Sequence, residues 1–368
     1  MKWIHFLVRF LVGLLFIFSG LIKANDPQGL SYKIQEFLEI WDLHSFNSFT
    51  LPIAVFLNTA EIGLGVALLV NFKTKATHFL LLLLLFFFTA LTGYTYLTGY
   101  PKNCGCFGDC LLLSAGQSFL KDVVLLVMLI FLHYFSELNT IGTSVRYAGF
   151  NCLVSIIAGI GLQYHTLNHL PIIDCLPYKI GADLSINRKI PATAIPDSTV
   201  VYFTYEKNNQ LVQFSATEFP ADFSPQDYQF VKREDKLIRP GKDMDPPIKG
   251  FVLSGETGID STEHILQLPA VVLVLADKAA AVQKSLKVLD LLPQTKTGFN
   301  KIPVYVVTAE PTTVRELLSQ TKFNGWPVFS CDLKAIQTAA RTNPTIYYLE
   351  KGVVIKKKAA IDYNESNY

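Results

Sequence analysis

Charge is what this sequence has least of. Only 17% of its 368 residues are Asp, Glu, Lys or Arg, and the two signs nearly cancel at +2. A chain this close to neutral gives no basis for nucleic-acid binding, which needs a clustered excess of Lys and Arg. A small-x-small cleavage pattern is also missing. The first apolar run ends in SGLIKAND, so it reads as a retained span and not as a signal peptide. No internal repeat or low-complexity tract stands out beyond the Leu/Phe runs. The last hundred residues alternate strand and helix, yet no Cys-x-x-Cys follows their first buried strand, where VLVLADKAAA runs on into a helix.

Apolar residues are abundant, and they are unevenly spread. They make up 50% of the chain and crowd between Met1 and about Gln163. A bilayer core about 30 Å thick takes roughly 20 apolar residues per helix. Five segments reach that length: Trp3 to Ile22, Leu51 to Asn71, Ala76 to Leu97, Gln117 to Phe135, and Tyr147 to Tyr164. The expectation is an α-helical membrane bundle of four to five transmembrane helices. Lys2, Lys73, Lys75 and Arg146 then share one side, which their positive charge makes cytoplasmic, against Lys23 and Lys33 on the other. The N-terminus is therefore expected in the cytoplasm. The loop from Thr98 to Gly116 and everything after Tyr164 are expected outside, in the periplasm of a bacterial inner membrane.

Between the first two spans, Asp26, Pro27 and Gly29 form a turn and Ser31 is placed to cap a helix. Ile34, Phe37, Leu38 and Trp41 share one helical face. That helix lies on the outer membrane surface or packs on the bundle. Beyond the fifth span, residues 165–192 read as a linker. TVVYFTYEKNNQLVQFSATEFP gives two strands about a turn at Lys207 to Asn209, and VKREDKLIRPGKDMDPPIKGFVL short strands at best. PAVVLVLAD, IPVYVVTAE and WPVFSCD are strands alternating with helices, and PTIYYLEKGVVIKKK is a hairpin, which together predict an α/β layer with a mixed sheet. The division is 1–140 bundle, 141–182 fifth span and linker, 183–260 β-rich connection, and 261–368 α/β domain.

The sharpest motif is NCGCFGDC, with Cys104, Cys106 and Cys110 in a loop that Gly105 and Gly108 free to turn tightly. Three readings stay open. A dithiol or disulfide here could exchange electrons through a mixed disulfide, helped by Lys102 nearby. It could be a fixed staple, as an oxidising compartment permits. A metal site would have three thiols and Asp109, and zinc normally takes four ligands; no metal is expected. Cys152, Cys175 and Cys331 read as small hydrophobes. Glu61 lies mid-span, where a charge costs roughly 3 kcal/mol, with Arg9 as a candidate partner. Lys121 and Asp122 open the fourth span. These four residues form a polar site within the membrane, or interhelical glue and snorkelling side chains.

CGCFG followed by a span that opens with Lys121 and Asp122 resembles the methylamine-utilisation MauE family. FSGLIKANDPQG, from Phe18 to Gly29, is similar to the DoxX family, and the order of parts is similar to Bacteroidetes-type DoxX-like proteins with an extracytoplasmic tail. RTNPTIYYLEKGVVI resembles thioredoxin-like domains, with Pro344 in the place of their cis-proline. The resemblance implies a membrane core engaged in thiol–disulfide chemistry or maturation of exported proteins, with exported thiol/disulfide proteins and the lipid bilayer as its partners. It gives no reason to carry methylamine over as a substrate. Without a Cys-x-x-Cys the thioredoxin-like tail is expected to bind and not to catalyse. The alternative is a non-catalytic scaffold whose tail docks partners. No cofactor is predicted, although aromatic-rich spans are compatible with a quinone.

Overall fold

The computed structural model describes residues 2–101, 105, 108–111, 113–136, 144–239, 241, 244–292 and 302–363. Six helices come first: α1 (Lys2–Asn25), α2 (Pro27–Ile40), α3 (Thr50–Leu69), α4 (Thr74–Thr98), α5 (Ala115–Tyr134) and α6 (Val145–Asn168). Among the described residues, five helical stretches are long and apolar enough to cross a membrane: α1, α4, α5, α6, and α3 together with the 3-10 turns leading into it from His44. Phe56, Phe79, Leu83 and Phe86 are exposed around them, which in water would be an unmanageable apolar surface and in lipid is ordinary.

Inside the bundle, Val12, Phe16, Leu68, Leu81, Leu85, Leu125, Leu129 and Leu132 form one core. Helices α1 and α3 pack closely because small residues meet there. A Cβ on Gly65 would come within 3.0 Å of the Gly13 carbonyl, and one on Gly20 within 3.1 Å of the Asn58 carbonyl and of the Glu61 Cβ. The Gly20 contact brings the C-terminal end of α1 against the middle of α3. On the far side of α3, Asn58 donates to the Gln163 side chain (3.1 Å) and Gln163 to Thr59 (2.9 Å), which fixes α6.

Helix α2 begins earlier than the predicted Ser31 cap. Asp26 caps it, accepting from the Gly29 amide at 3.0 Å, with Pro27 in the first turn where its missing N–H costs nothing. Ser31 sits inside the helix and donates to Thr50 Oγ1 at 2.9 Å, so α2 packs on the bundle.

The second half is rich in strands: α7 (Leu184–Asn187), β1 (Ser198–Lys207), β2 (Gln210–Ser215), β3 (Gln229–Arg239), α8 (Thr262–Leu266), β4 (Val271–Ala276), α9 (Ala279–Lys284), α10 (Leu286–Leu289), β5 (Val304–Thr308), α11 (Pro311–Ser319), β6 (Val328–Ser330), α12 (Leu333–Ala339), β7 (Thr345–Glu350) and β8 (Val353–Ala359). One sheet has the order β2-β1-β3, antiparallel throughout; the other runs β6-β5-β4-β7-β8. In the second, β4, β5 and β6 are parallel, while β7 and β8 run antiparallel. Strand β4 is central and buried on both faces. Val271, Leu273 and Leu275 face one core, and Val272, Val274 and Ala276 the other. That alternation is the period-2 geometry of a strand.

Three local readings change. The segment expected to hold only short strands contains β3, whose charges sit on an exposed strand. The single helix expected after β4 is broken at Ser285 into α9 and α10. The linker is no plain connector. Helix α6 continues to Asn168, and Tyr178 and Leu184 are buried in the same core as Leu273 and Tyr347. Further contacts hold this segment. The Asn25 side chain exchanges two hydrogen bonds with the Ile173 backbone (2.8 and 3.1 Å), and buried Lys357 reaches Asp174 at 2.7 Å.

Candidate functional site

Two groups of polar residues lie at the outer end of the bundle, meaning the end that carries the tail. The first is the surroundings of the cysteine loop. Cys110 is disulfide-bonded to Cys175, joining the loop between α4 and α5 to the segment after α6. Beside that bond, Asp109 accepts from Arg341 Nη2 at 2.8 Å, and Asp26 accepts from Arg341 Nε at 2.8 Å. Arg341 also donates to the Gln337 carbonyl at 2.8 Å and lies 5.5 Å from the centre of the Tyr32 ring. Burial by itself would lower the pKa of this guanidinium. The carboxylates of Asp26 and Asp109 outweigh burial and hold the pKa above its ordinary value. The same burial pushes the Tyr32 phenol up to about 12, with Arg341 pulling the other way. Arg341 stands just before the Asn343–Pro344 peptide, which is cis. Asn343 hydrogen-bonds Asp277, at the end of β4. The loop leading into β7 is therefore one contact of the tail with the bundle, and Lys334 of α12, paired with Glu39 of α2 at 3.0 Å, is another.

The second group lies within the membrane-spanning helices. Lys23 on α1 is paired with Glu61 on α3, both almost fully buried. Lys121 pairs with Asp122 at 2.6 Å on α5, and Thr92 of α4 donates to the other Asp122 oxygen at 3.0 Å. The Glu61 Oε2 atom is buried with no hydrogen-bond partner among the described residues. All four charged residues line one slot, whose apolar walls include Leu15, Leu85, Phe88 and Leu125. A second slot shares Lys23 and Phe88 with the first and extends past Leu30, Lys33 and Thr92 to Gly105. Gly105 has a positive φ of 67° and lies against Lys33, whose Cγ would be 3.0 Å from an added Cβ.

Of the residues singled out in the sequence, the structure gathers Glu61, Lys121 and Asp122 around one slot. Arg9 is elsewhere: it hydrogen-bonds Asn71 at the opposite end of the bundle. The partner of Glu61 is Lys23, which sequence reasoning left in a loop because α1 was ended too early. Cys110 is bonded to Cys175, which had read as inert, so the bond does not stay within the NCGCFGDC loop. Cys104, Cys106 and Lys102 lie outside the described residues. Cys152 and Cys331 are free and buried. Burial pushes the Cys331 thiol up to about 11, far from the range of a reactive thiolate. No cluster of His, Cys, Asp and Glu suited to a metal occurs among the described residues. Lys23, Lys33, Asp26 and Arg341 were missed. A carboxylate at an N-cap and a Lys in the last turn of an apolar helix were the available signals for Asp26 and Lys23; nothing local marked Arg341.

These features define an integral membrane protein: a helical bundle whose extramembrane tail is clamped onto a cysteine-bearing loop. Residues 1–135 match the family described as methylamine utilisation protein MauE. Residues 199–240, the antiparallel β1–β3 sheet, match a family described only as a domain of unknown function. The chain is 27% identical over 137 residues to protein TlpB of Flavobacterium psychrophilum. That match covers 36% of this chain and 37% of TlpB, so the chain spans well under half of its relative. No solved structure matches.

Proposed function

We propose that this protein is a thiol-redox component of a bacterial inner membrane, exchanging disulfides with exported proteins through its cysteine loop. The carrying observation is the Cys110–Cys175 bond. It takes Cys110 out of play, so the exchange is assigned to Cys104 and Cys106, which lie outside the described residues. It also supports reading this end of the bundle as facing an oxidising space, with the N-terminus in the cytoplasm and the tail in the periplasm. The MauE match over the bundle, and the DoxX-like FSGLIKANDPQG that ends α1, support a core of this kind.

The tail is read as a thioredoxin-like domain that has lost its chemistry. Supporting this are the sheet order with β4 central, the β7–β8 hairpin and the cis peptide before β7. Asp277 and Lys278 follow β4 where a redox-active domain would carry its cysteines. Arg341 docks this same edge on the bundle, which supports a docking role for the tail and keeps the scaffold reading in play.

The test is thiol alkylation with mass mapping across a series of defined redox buffers, on the full chain in lipid. The proposal expects Cys104 and Cys106 to change state together while Cys110–Cys175 stays oxidised. If the pair keeps one state throughout, and Cys104→Ser and Cys106→Ser leave partner oxidation unchanged, the scaffold reading replaces it.

A further inference from the structure

We propose that β3 is a self-pairing edge: a second copy of this chain adds its own β3 to it, antiparallel, about a two-fold axis at Glu234. The contact needs none of the cysteine chemistry proposed above.

The edge is open. Strand β3 ends the β2-β1-β3 sheet, and no strand pairs with its outer side among the described residues. All eleven of its residues are exposed, including the apolar Phe230, Val231, Leu237 and Ile238. Free N–H and C=O groups along such an edge invite a further strand, and proteins usually guard against that with proline, bulges, brevity or charge. QFVKREDKLIR holds no Pro and is not short. The irregularities in its ladder with β1 fall at Val231 and Ile238, and the register between them, from Lys232 to Leu237, is regular. The sheet itself is held by a small aromatic cluster. Tyr205 stacks on Phe214 at 5.4 Å, and Phe223 packs on Phe219 at 4.9 Å and on Tyr228 at 5.1 Å. Three strands with one apolar face are about the least that is stable alone, so three more strands would strengthen it.

Charge is the one remaining guard, and its arrangement selects the partner. In a two-fold antiparallel pair centred on Glu234, each residue faces the one equally far along on the other side. Arg233 then lies opposite the partner's Asp235, and Asp235 opposite the partner's Arg233. These two side chains already pair within one strand at 2.9 Å, so both are on the same face. On the other face Lys232 and Lys236 flank the two central glutamates and reach them by leaning along the strand, as Lys232 already does within one chain at 2.5 Å. Beyond the charges, Val231 meets the partner's Leu237 and Phe230 the partner's Ile238. Opposite charges and apolar pairs set directly across strands each stabilise a sheet.

The register follows from the same pattern. Moving the axis to Arg233 puts Val231 against the partner's Asp235 and Phe230 against the partner's Lys236. Moving it to Asp235 puts Leu237 against the partner's Arg233 and Ile238 against the partner's Lys232. With the axis at Glu234 both apolar ends find apolar partners. An unrelated extended segment would not be matched in this way by a sequence that reads alike in both directions. The product is one continuous sheet of six strands, β2-β1-β3 followed by the partner's three in reverse.

The experiment uses the full chain in detergent, its mass followed by sedimentation across a concentration series. Wild type is expected to dimerise. Arg233→Asp and Asp235→Arg should each weaken self-association about tenfold or more, since each sets two like-charged pairs across the strands. An equal mixture of the two variants should dimerise again, because every reversed charge then meets its opposite; that recovery also shows that both variants are folded. Single cysteines then read the register. Under mild oxidation Glu234→Cys should form a linked dimer, above the wild-type background, more readily than Lys232→Cys, Arg233→Cys, Asp235→Cys or Lys236→Cys, as residue 234 alone faces itself. A wild type that stays monomeric overturns the proposal. So do charge variants that associate as well as wild type, a mixture that does not recover, or a cross-link strongest away from residue 234.

Discussion

Arg341 and Asp109 are joined by a 2.8 Å ion pair across 232 residues of sequence. Asp109 is the neighbour of the bonded Cys110, so a side chain of the α/β tail holds the cysteine loop directly. Asp26 completes the clamp from the start of α2. Three segments far apart in the chain, the end of α1, the loop before α5 and the loop before β7, thus meet at one guanidinium.

Replacing Arg341 by Ala strands Asp26 and Asp109 beside each other. Breaking a buried pair on one side costs roughly 3–5 kcal/mol; with Asp109 34% exposed, about 3 kcal/mol is expected. Arg341→Lys keeps the charge but cannot span both carboxylates in the same fork geometry, so it should recover only part. Urea unfolding of the detergent-solubilised protein, followed by tail fluorescence, measures this. Identical midpoints for wild type and Arg341→Ala would remove the clamp from the account.

The Cys110–Cys175 bond closes a loop of 65 residues. By chain entropy such a closure stabilises by about 4 kcal/mol. Cys110→Ser, Cys175→Ser and the double change should therefore lower thermal stability equally, because each removes the same bond. A non-reduced digest should contain the Cys110–Cys175 linked peptide. A Cys104–Cys110 or Cys106–Cys110 peptide in its place would refute the pairing, and unequal losses from the two single variants would show that one cysteine has a further role.

The spans were legible in the sequence because lipid imposes a length and a composition that nothing else imitates. The hairpin β7–β8 and the central strand β4 were legible for a similar reason: continuous apolar runs bounded by turn residues leave few alternatives. The site was only half visible. Glu61, Lys121 and Asp122 stand out as charges in apolar runs, but their partners depend on how helices pack, and Gly20 sets that packing through a close approach that sequence spacing does not reveal. Cys175 carried no motif at all. Its pairing depends on α6 returning the chain to the same end of the bundle as the loop. Strand β3 was missed because its charges suggest a loop, and only its pairing with β1 makes it a strand.

The boundary of the tail can be tested by truncation. Tyr178, Leu184, Ile248, Phe251 and Leu253 are all buried in the core that also holds Leu273 and Tyr347. A fragment of residues 176–363 should unfold cooperatively in urea, whereas 261–368 should not, since it lacks one wall of that core. Within the longer fragment, Tyr178→Ala should cost roughly 3–5 kcal/mol, as removal of a large buried aromatic does. A cooperative transition in the shorter fragment would mean that residues 176–260 are accessory.

Cys331 makes the last prediction, and its sign can be worked out. The thiol is buried near Tyr178, and burial first of all pushes it from an ordinary 9.0 up to about 11. In the unfolded chain it loses its proton near 9.0, so between these values the folded state holds more protons. Stability then falls as pH rises through that window, and is unaffected by this group below it. A shift of this size corresponds to an upper limit of roughly 2–3 kcal/mol. Tyr178 and Tyr347 are shifted in the same direction by burial, so the quantity to measure is the difference between wild type and Cys331→Ala. Urea unfolding at pH 8 and pH 11 should show the wild type losing more stability than the variant over that interval. The buried thiol should also resist iodoacetamide at pH 8 until the protein is denatured. Parallel pH dependence in the two proteins, or rapid native-state alkylation, would show that Cys331 is accessible and reopen a chemical role for the tail.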